Sequence, residues 1–157
     1  SSDLRMEFVG DEKNKIFIDY AHTPDAYENI LKLVHEIKEP KDKIITLFGC
    51  GGDRDKDKRP RMARITERYS DKIIVTSDNP RNEGLNFILE DILSGFNQMK
   101  HKVIQNREDA IKESINILDE NSILLILGKG REEYQIINNK KIFHSDLEII
   151  NREINAC

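Results

Sequence analysis

The stretch Ile44-Ile45-Thr46-Leu47-Phe48-Gly49-Cys50-Gly51-Gly52-Asp53-Arg54 carries the pattern that decides the fold of this chain. Residues 44–48 form an almost continuous apolar run, and a glycine-rich polar segment follows at once. A continuous run is typical of a strand that is covered on both faces of a parallel sheet. The stretch therefore predicts a buried parallel strand that leads into a loop with chemistry of its own.

Similar runs recur along the chain, separated by segments with helical spacing. The further runs are residues 15–18, 73–76 and 123–127, with a weaker run at 103–104. The helical stripes are Ala26, Ile30, Leu33, Val34 and Ile37; Met62, Ile65 and Tyr69; Ile88, Ile92, Phe96 and Met99; and Ile111, Ile115 and Leu118. Strand and helix alternate, which predicts an α/β, Rossmann-like fold: a mostly parallel sheet with helices on both faces.

The end of the chain predicts a hairpin and one more helix. Residues 136–137 and 141–143 flank Asn138-Asn139-Lys140, and we expect this C-terminal antiparallel hairpin to supply an edge strand. Ser145 and Glu148 have the spacing of a capping box at the start of the last helix. No repeat or linker divides the chain, so we expect residues 1–157 to form a single domain.

Composition excludes several classes of function. Against 29 Asp+Glu the chain has 25 Lys+Arg, a formal charge of −4, which provides no basic face for nucleic acid. No stretch approaches the ~20 apolar residues of a membrane span, and we expect a cytoplasmic protein. Two cysteines exclude a four-cysteine zinc site, and the four histidines lack ligand spacing, so we predict no metal site. Because no Met opens the chain, we expect a piece of a longer protein.

Chemically distinctive residues follow four of the predicted strands, at the carboxyl ends where open α/β sheets bind ligands. These segments are residues 19–24, 49–56, 77–81 and 128–133, whereas the opposite strand ends carry ordinary charges. Residues 49–54 are neither a Walker A loop nor a Gly-x-Gly-x-x-Gly loop, since Arg54 stands at the sixth position. The chain therefore lacks a phosphate-cradling loop of either kind.

Each segment allows a structural and a functional interpretation. The glycines before Arg54 either turn the chain tightly or bring backbone amides to an anion beside that charge. His22 is either a packing or capping residue or an imidazole at the ligand-binding edge. Asp19 is either a turn residue or part of the same edge.

The segment Asp78-Asn79-Pro80-Arg81 points more strongly to a ligand. Its proline stiffens the loop and restricts the residue before it. Arg81 either pairs with Glu83 at the surface or takes a ligand carboxylate through two parallel hydrogen bonds. Glu132, on the neighbouring loop, would accept from a ligand ammonium group. Together Arg81 and Glu132 would recognise an amino acid.

Taken in this order, the segments resemble the C-terminal domain of the Mur ligase family, and within it the members that use diaminopimelate. The residues that carry the resemblance are Arg5-Met6-Glu7, residues 19–26, residues 48–60, residues 78–81, residues 128–132 and Tyr134-Gln135. They span nearly the whole chain. The sequence departs from the family pattern at Arg131, where many relatives have histidine.

The resemblance implies the last domain of a three-domain cytoplasmic ligase whose N-terminal and central domains are absent here. Such an enzyme uses ATP and Mg²⁺ to add meso-2,6-diaminopimelate to UDP-MurNAc-L-Ala-D-Glu, through an acyl phosphate, in peptidoglycan precursor synthesis. ATP and Mg²⁺ then bind mainly to the absent central domain. We expect this domain to hold the diamino acid, to help close the site over ATP, to contain no catalytic residue and to be inactive alone.

The resemblance also assigns roles residue by residue. It places diaminopimelate at Arg54, Asp78, Asn79, Pro80, Arg81, Gly128 and Glu132, and the ATP side of the domain cleft at Asp19 and His22. Lysine would leave the Arg81 charge unmatched at a cost of ~1.5–3 kcal/mol, whereas lanthionine offers the same groups as diaminopimelate. A ligase for another substrate, such as a folylpolyglutamate synthetase, and a stand-alone regulatory module that binds an amino acid or a nucleotide remain alternatives.

Overall fold

Strands and helices alternate along the chain as the sequence predicts. The structure, a computed structural model, describes residues 6–156. Its strands are β1 (Glu7–Phe8), β2 (Lys15–Asp19), β3 (Lys43–Phe48), β4 (Lys72–Val75), β5 (His101–Val103), β6 (Ser122–Leu127), β7 (Tyr134–Ile137) and β8 (Lys140–Phe143). Its helices are α1 (Pro24–Ile37), α2 (Lys58–Tyr69), α3 (Leu85–Leu93), α4 (Arg107–Asn116) and α5 (Asp146–Ile154).

The central sheet has six strands in the order β1-β2-β6-β3-β4-β5. All neighbouring pairs are parallel except β1 and β2. Helices α1, α2 and α3 cover one face, and α4 and α5 cover the other. The predicted α/β class and the parallel sheet with two helical layers are thus confirmed.

The innermost strand, β6, shows why the predicted strands lack alternation. Successive side chains of a strand point to opposite faces. Leu125 and Leu127 pack in the layer of α1, α2 and α3, while Leu124 and Ile126 pack in the layer of α4 and α5. Both faces bury apolar side chains, so every residue of this strand is buried.

The third helix is shorter than its apolar stripe predicts. It ends at Leu93, so the expected continuation through Phe96 and Met99 is wrong. The chain turns at Gly95, where a Cβ atom would come within 2.2 Å of the Pro60 carbonyl oxygen. That close approach to α2 replaces the next helical turn, and it leaves Met99 91% exposed.

The hairpin of β7 and β8 forms as predicted, with Asn138 and Asn139 at positive φ in its two-residue turn. It makes a separate two-stranded sheet, however, and the antiparallel edge of the central sheet is β1. The hairpin is held by Arg81 instead. The Arg81 amide donates to Ile136 O at 2.8 Å, and the Asn138 amide donates to Arg81 O at 2.7 Å.

Side-chain caps mark the starts of α1 and α5. Pro24 occupies the first turn of α1 behind Thr23, whose Oγ1 accepts from the Ala26 amide at 3.2 Å. The Ser145 Oγ likewise accepts from the Glu148 amide at 3.1 Å, which confirms the predicted start of α5. No helix within residues 6–156 combines the length and apolarity needed to cross a membrane.

Candidate functional site

A cavity of about 390 Å³ lies beyond the carboxyl ends of the parallel strands. The segments that follow β3 and β6 lead to opposite faces of the sheet, which opens a crevice between these neighbours. Seven of the nine predicted site residues line this cavity, namely His22, Arg54, Asp78, Asn79, Arg81, Gly128 and Glu132. Asp19 and Pro80 do not line it.

Arg81 reaches the cavity from a strained backbone position. Its φ of 55° is unusual for a residue with a Cβ atom and typically costs ~1–3 kcal/mol, which its backbone bonds to the hairpin offset. Nη1 donates to Gly52 O at 3.0 Å and to Asn79 O at 3.4 Å. Among the described residues 6–156, the Arg81 side chain donates hydrogen bonds only through Nη1, so Nε and Nη2 keep their N–H groups for a ligand.

The alternative surface pair of Arg81 with Glu83 does not form. Glu83 instead accepts from the buried Arg59 guanidinium through two hydrogen bonds of 2.7 Å. These bonds to Arg59 lower the pKa of Glu83 to about 2. Arg59 also donates to Asp91 at 2.9 Å and to Gly51 O at 2.8 Å, so it fastens the glycine-rich loop to α3.

The glycines of this loop are required mainly by close packing. A Cβ atom on Gly52 would lie 1.8 Å from Pro80 O, and the Gly52 amide donates to Asn79 O at 2.8 Å. That amide therefore binds the neighbouring loop, contrary to the interpretation that it faces an anion. Pro80, buried behind the cavity, supplies the surface against which Gly52 packs.

Asp19 and His22 have different surroundings. Asp19 ends β2, where its Oδ1 accepts from the Ala21 amide at 2.7 Å and its carbonyl accepts from the Gly128 amide at 2.9 Å. His22 is exposed at the cavity rim, edge-on to the Tyr20 ring at 4.9 Å. Partial burial, followed by the neighbouring Glu132 carboxylate, raises the pKa of Tyr20.

Lys129 is a component that sequence reasoning missed. Its side chain is fully buried behind the cavity wall, with Nζ 3.0 Å from Asp78 Oδ1 and 3.5 Å from Glu132 Oε1. One sequence signal could have indicated Lys129. It stands between two glycines just after β6, a strand whose residues are all apolar except the first.

A second buried cation, Arg107, was also missed. It binds both carboxylate oxygens of Asp146, at 2.9 and 2.8 Å, and donates to Ser77 O at 3.1 Å and to Leu127 O at 3.3 Å. Those two carbonyls lie where β4 and β6 lead into the site loops. His144 Nε2 lies 2.6 Å from Asp146 Oδ1. Nothing in the local sequence around Arg107 shows that its partner is 39 residues away.

Arg131 points away from the cavity. Its guanidinium makes a two-pronged ion pair with Glu7 of β1, and this hydrogen-bonded pair lowers the pKa of Glu7. The departure from the family pattern at this position therefore leaves the cavity wall at Glu132 in place. Arg5, another residue of the resemblance, lies outside the described residues.

Metal ligands are not gathered in the described part of the chain. Across residues 6–156 no three His, Cys, Asp or Glu side chains lie close enough together to hold a metal ion. The cavity instead combines cations with carboxylates, namely Arg54, Lys58, Arg59 and Arg81 with Asp55, Asp78 and Glu132. Such a set suits a ligand that carries both carboxylate and ammonium groups.

Comparison with known proteins identifies the family. The profile for "Mur ligase, glutamate ligase domain" matches residues 4–130. The chain belongs to the Mur ligase family. This Mur ligase domain spans about a third of the length of the curated relatives it matches, 30–32% for those from Leptospira borgpetersenii and Rickettsia montanensis.

The relatives within the Mur ligase family are named alike. The Leptospira borgpetersenii protein, named UDP-N-acetylmuramoyl-L-alanyl-D-glutamate–2,6-diaminopimelate ligase, is 51% identical over 151 residues, 95% of this chain and 30% of that protein. The protein of that name from Rickettsia montanensis is 45% identical over 153 residues, 98% of this chain. A solved structure with the same name superposes with a TM-score of 0.89 at 34% identity, over 97% of this chain and 31% of that chain.

Proposed function

We propose that this domain binds meso-2,6-diaminopimelate and presents its amine to the activated carboxylate of UDP-MurNAc-L-Ala-D-Glu, within a complete ATP-dependent ligase. The observation that carries the proposal is that Arg81 and Glu132, which follow two different strands, line one cavity. The names of the relatives support the choice of reaction.

The charges of the cavity support an amino acid with a second carboxylate. Arg54 and Arg81 offer planar cations for carboxylates, while Asp78 and Glu132 offer acceptors for ammonium groups. The Asn79 Oδ1 is already committed, since it accepts from Lys129 at 2.7 Å and from the Ile136 amide at 3.0 Å. Within residues 6–156 the Asn79 Nδ2 keeps its donors for a ligand. We therefore assign Pro80 and the Asn79 Oδ1 to holding the loop, and Arg54, Asp78, Arg81, Glu132 and the Asn79 Nδ2 to holding the ligand.

The contribution of the domain is to position the diamino acid. An amine held by fixed side chains reaches its partner with its translational freedom already lost, which is a large part of the barrier in amide formation. Domain closure would also exclude water that competes with the amine. No residue of the cavity needs to form a covalent bond, and we expect no turnover by the isolated domain.

ATP would lie at the edge of this domain. When bound, it supplies the phosphoryl group that activates the acceptor carboxylate. The Tyr20 and His22 rings at the rim offer aromatic faces to an adenine. Residues 6–156 contain neither kind of glycine-rich phosphate loop and gather no three His, Cys, Asp or Glu side chains around a metal ion. We therefore assign the phosphates and Mg²⁺ to the part of the ligase that lies beyond this domain.

Calorimetric titration of the complete ligase, with nucleotide and the UDP-linked acceptor present, tests the proposal. We expect diaminopimelate and lanthionine to bind with similar affinity, because both carry the second carboxylate. Lysine should bind at least ~10-fold more weakly, because it leaves a charge-assisted bond unmade. Lysine binding as tightly as diaminopimelate, or no binding of either, would overturn the proposed function.

A further inference from the structure

Lys129 is a fully buried charge next to the cavity. Its side chain is 0% exposed and does not line the cavity, although its neighbours do. Nζ donates to Asn79 Oδ1 at 2.7 Å and to Tyr134 O at 3.0 Å, and it lies 3.0 Å from Asp78 and 3.5 Å from Glu132. One ammonium group thus joins the loops after β4 and β6 to the start of β7.

A buried ammonium is stable only when nearby charges and hydrogen bonds replace its water. Here the compensating charges are the same two carboxylates that line the cavity. Their side chains are 10% and 17% exposed, so they lie between Lys129 and the space where a ligand binds. Lys129 therefore fixes the direction in which Asp78 and Glu132 offer their remaining lone pairs.

We infer that Lys129 is a positioning residue for diamino acid recognition, acting through Asp78 and Glu132 without touching the ligand. This inference rests on the proposed function. Without Lys129 the two carboxylates would repel each other and turn toward solvent. The free energy needed to order them again would then weaken ligand binding. With Lys129 they are ordered before the ammonium group of the ligand arrives.

The test is a double-mutant cycle on the complete ligase, with the Kd for meso-2,6-diaminopimelate as the readout. Lys129→Met keeps the length of the side chain and removes its charge, and it should raise this Kd ~10-fold or more, with the Kd for ATP unchanged. In the double variant with Glu132→Gln, the increase in Kd should be ~3-fold or more smaller than the product of the two single increases, because the two residues are in contact.

Lys141→Met is the matched control. Lys141 is exposed on the hairpin, 4.5 Å from the centre of the Tyr134 ring, and its replacement should leave the Kd for the diamino acid at the wild-type value. If Lys129→Met does not fold, Lys129→Gln, which keeps a polar donor of similar length, takes its place with the same expectation.

The outcomes separate the two proposals. If Arg81→Ala weakens diaminopimelate binding but the Lys129 variant does not, only the role of Lys129 is overturned. The same conclusion holds if the Kd of the Lys129 and Glu132→Gln double variant equals the product of the two single effects. If neither Arg81→Ala nor the Lys129 variant changes the Kd, the proposed function is overturned with it.

Discussion

Replacing Arg81 with alanine in the complete ligase is expected to raise the KM for meso-2,6-diaminopimelate by ~10- to 150-fold, which corresponds to a lost charge-assisted hydrogen bond of ~1.5–3 kcal/mol. The KM for ATP should rise far less, because Arg81 belongs to the loop after β4, whereas the Tyr20–His22 rim proposed for ATP belongs to the segment after β2. Steady-state kinetics with each substrate varied in turn measures both values.

Two controls make the Arg81 result specific. Arg152→Ala removes an exposed arginine on α5 that pairs with Glu108, and it should change neither KM. With lysine as the amino acid, Arg81→Ala should change the rate little, because lysine has no second carboxylate for Arg81 to bind. Arg81→Ala with a wild-type KM for diaminopimelate would remove Arg81 from the recognition site.

The second large effect concerns stability. Asp146→Asn should destabilise the protein by ~3–5 kcal/mol, because it leaves the Arg107 guanidinium buried without its counter-charge. Both side chains are 0% exposed. Glu108→Gln is the control, since this exposed carboxylate makes ion pairs worth ~0–1 kcal/mol with Lys112 and Arg152. Urea denaturation at pH 7 measures both variants, and a change below ~1 kcal/mol for Asp146→Asn would contradict the expected role of the pair.

The same residue predicts an acid sensitivity with a definite sign. Burial alone would raise the pKa of Asp146, but Arg107 and then His144 outweigh it and hold the pKa well below its usual value. A depressed carboxyl pKa stabilises the fold above the unfolded value of ~3.9, and this stabilisation is lost as the pH falls below that value. Asp146→Asn should therefore show a shallower loss of stability between pH 5 and pH 2 than the wild type. An equal slope in both proteins would show that Asp146 does not contribute.

Much of the fold could be predicted because its signals are local. Continuous apolar runs and helical stripes depend on a few neighbouring residues, and β2, β3, β4, β6 and α1 occur where those patterns lie. The end of α3 depends instead on contact between Gly95 and Pro60, far apart in the chain. The two-residue strand β1 is too short for any periodicity, so the antiparallel edge could not be found from the pattern.

The same difference between local and distant signals separates the site residues that the sequence predicts from those that it misses. Arg54, Asp78, Arg81 and Glu132 could be found because each follows a predicted strand at the end where ligands bind. Arg107 could not, because its importance lies in burial and in a distant partner, Asp146. Lys129 left only the signal of a lysine between two glycines after an apolar strand, and its role depends on burial beside Asp78. The binding groups stand in recognisable loops, whereas the residues that hold those loops depend on the finished fold.

The central claim is that one guanidinium and one carboxylate, from neighbouring loops, hold a single diamino acid. A crystal structure of the complete ligase with meso-2,6-diaminopimelate tests it most directly. The account predicts a ligand carboxylate within ~3 Å of the Arg81 guanidinium and a ligand ammonium within ~3 Å of the Glu132 carboxylate. A ligand bound with neither side chain in contact would contradict it.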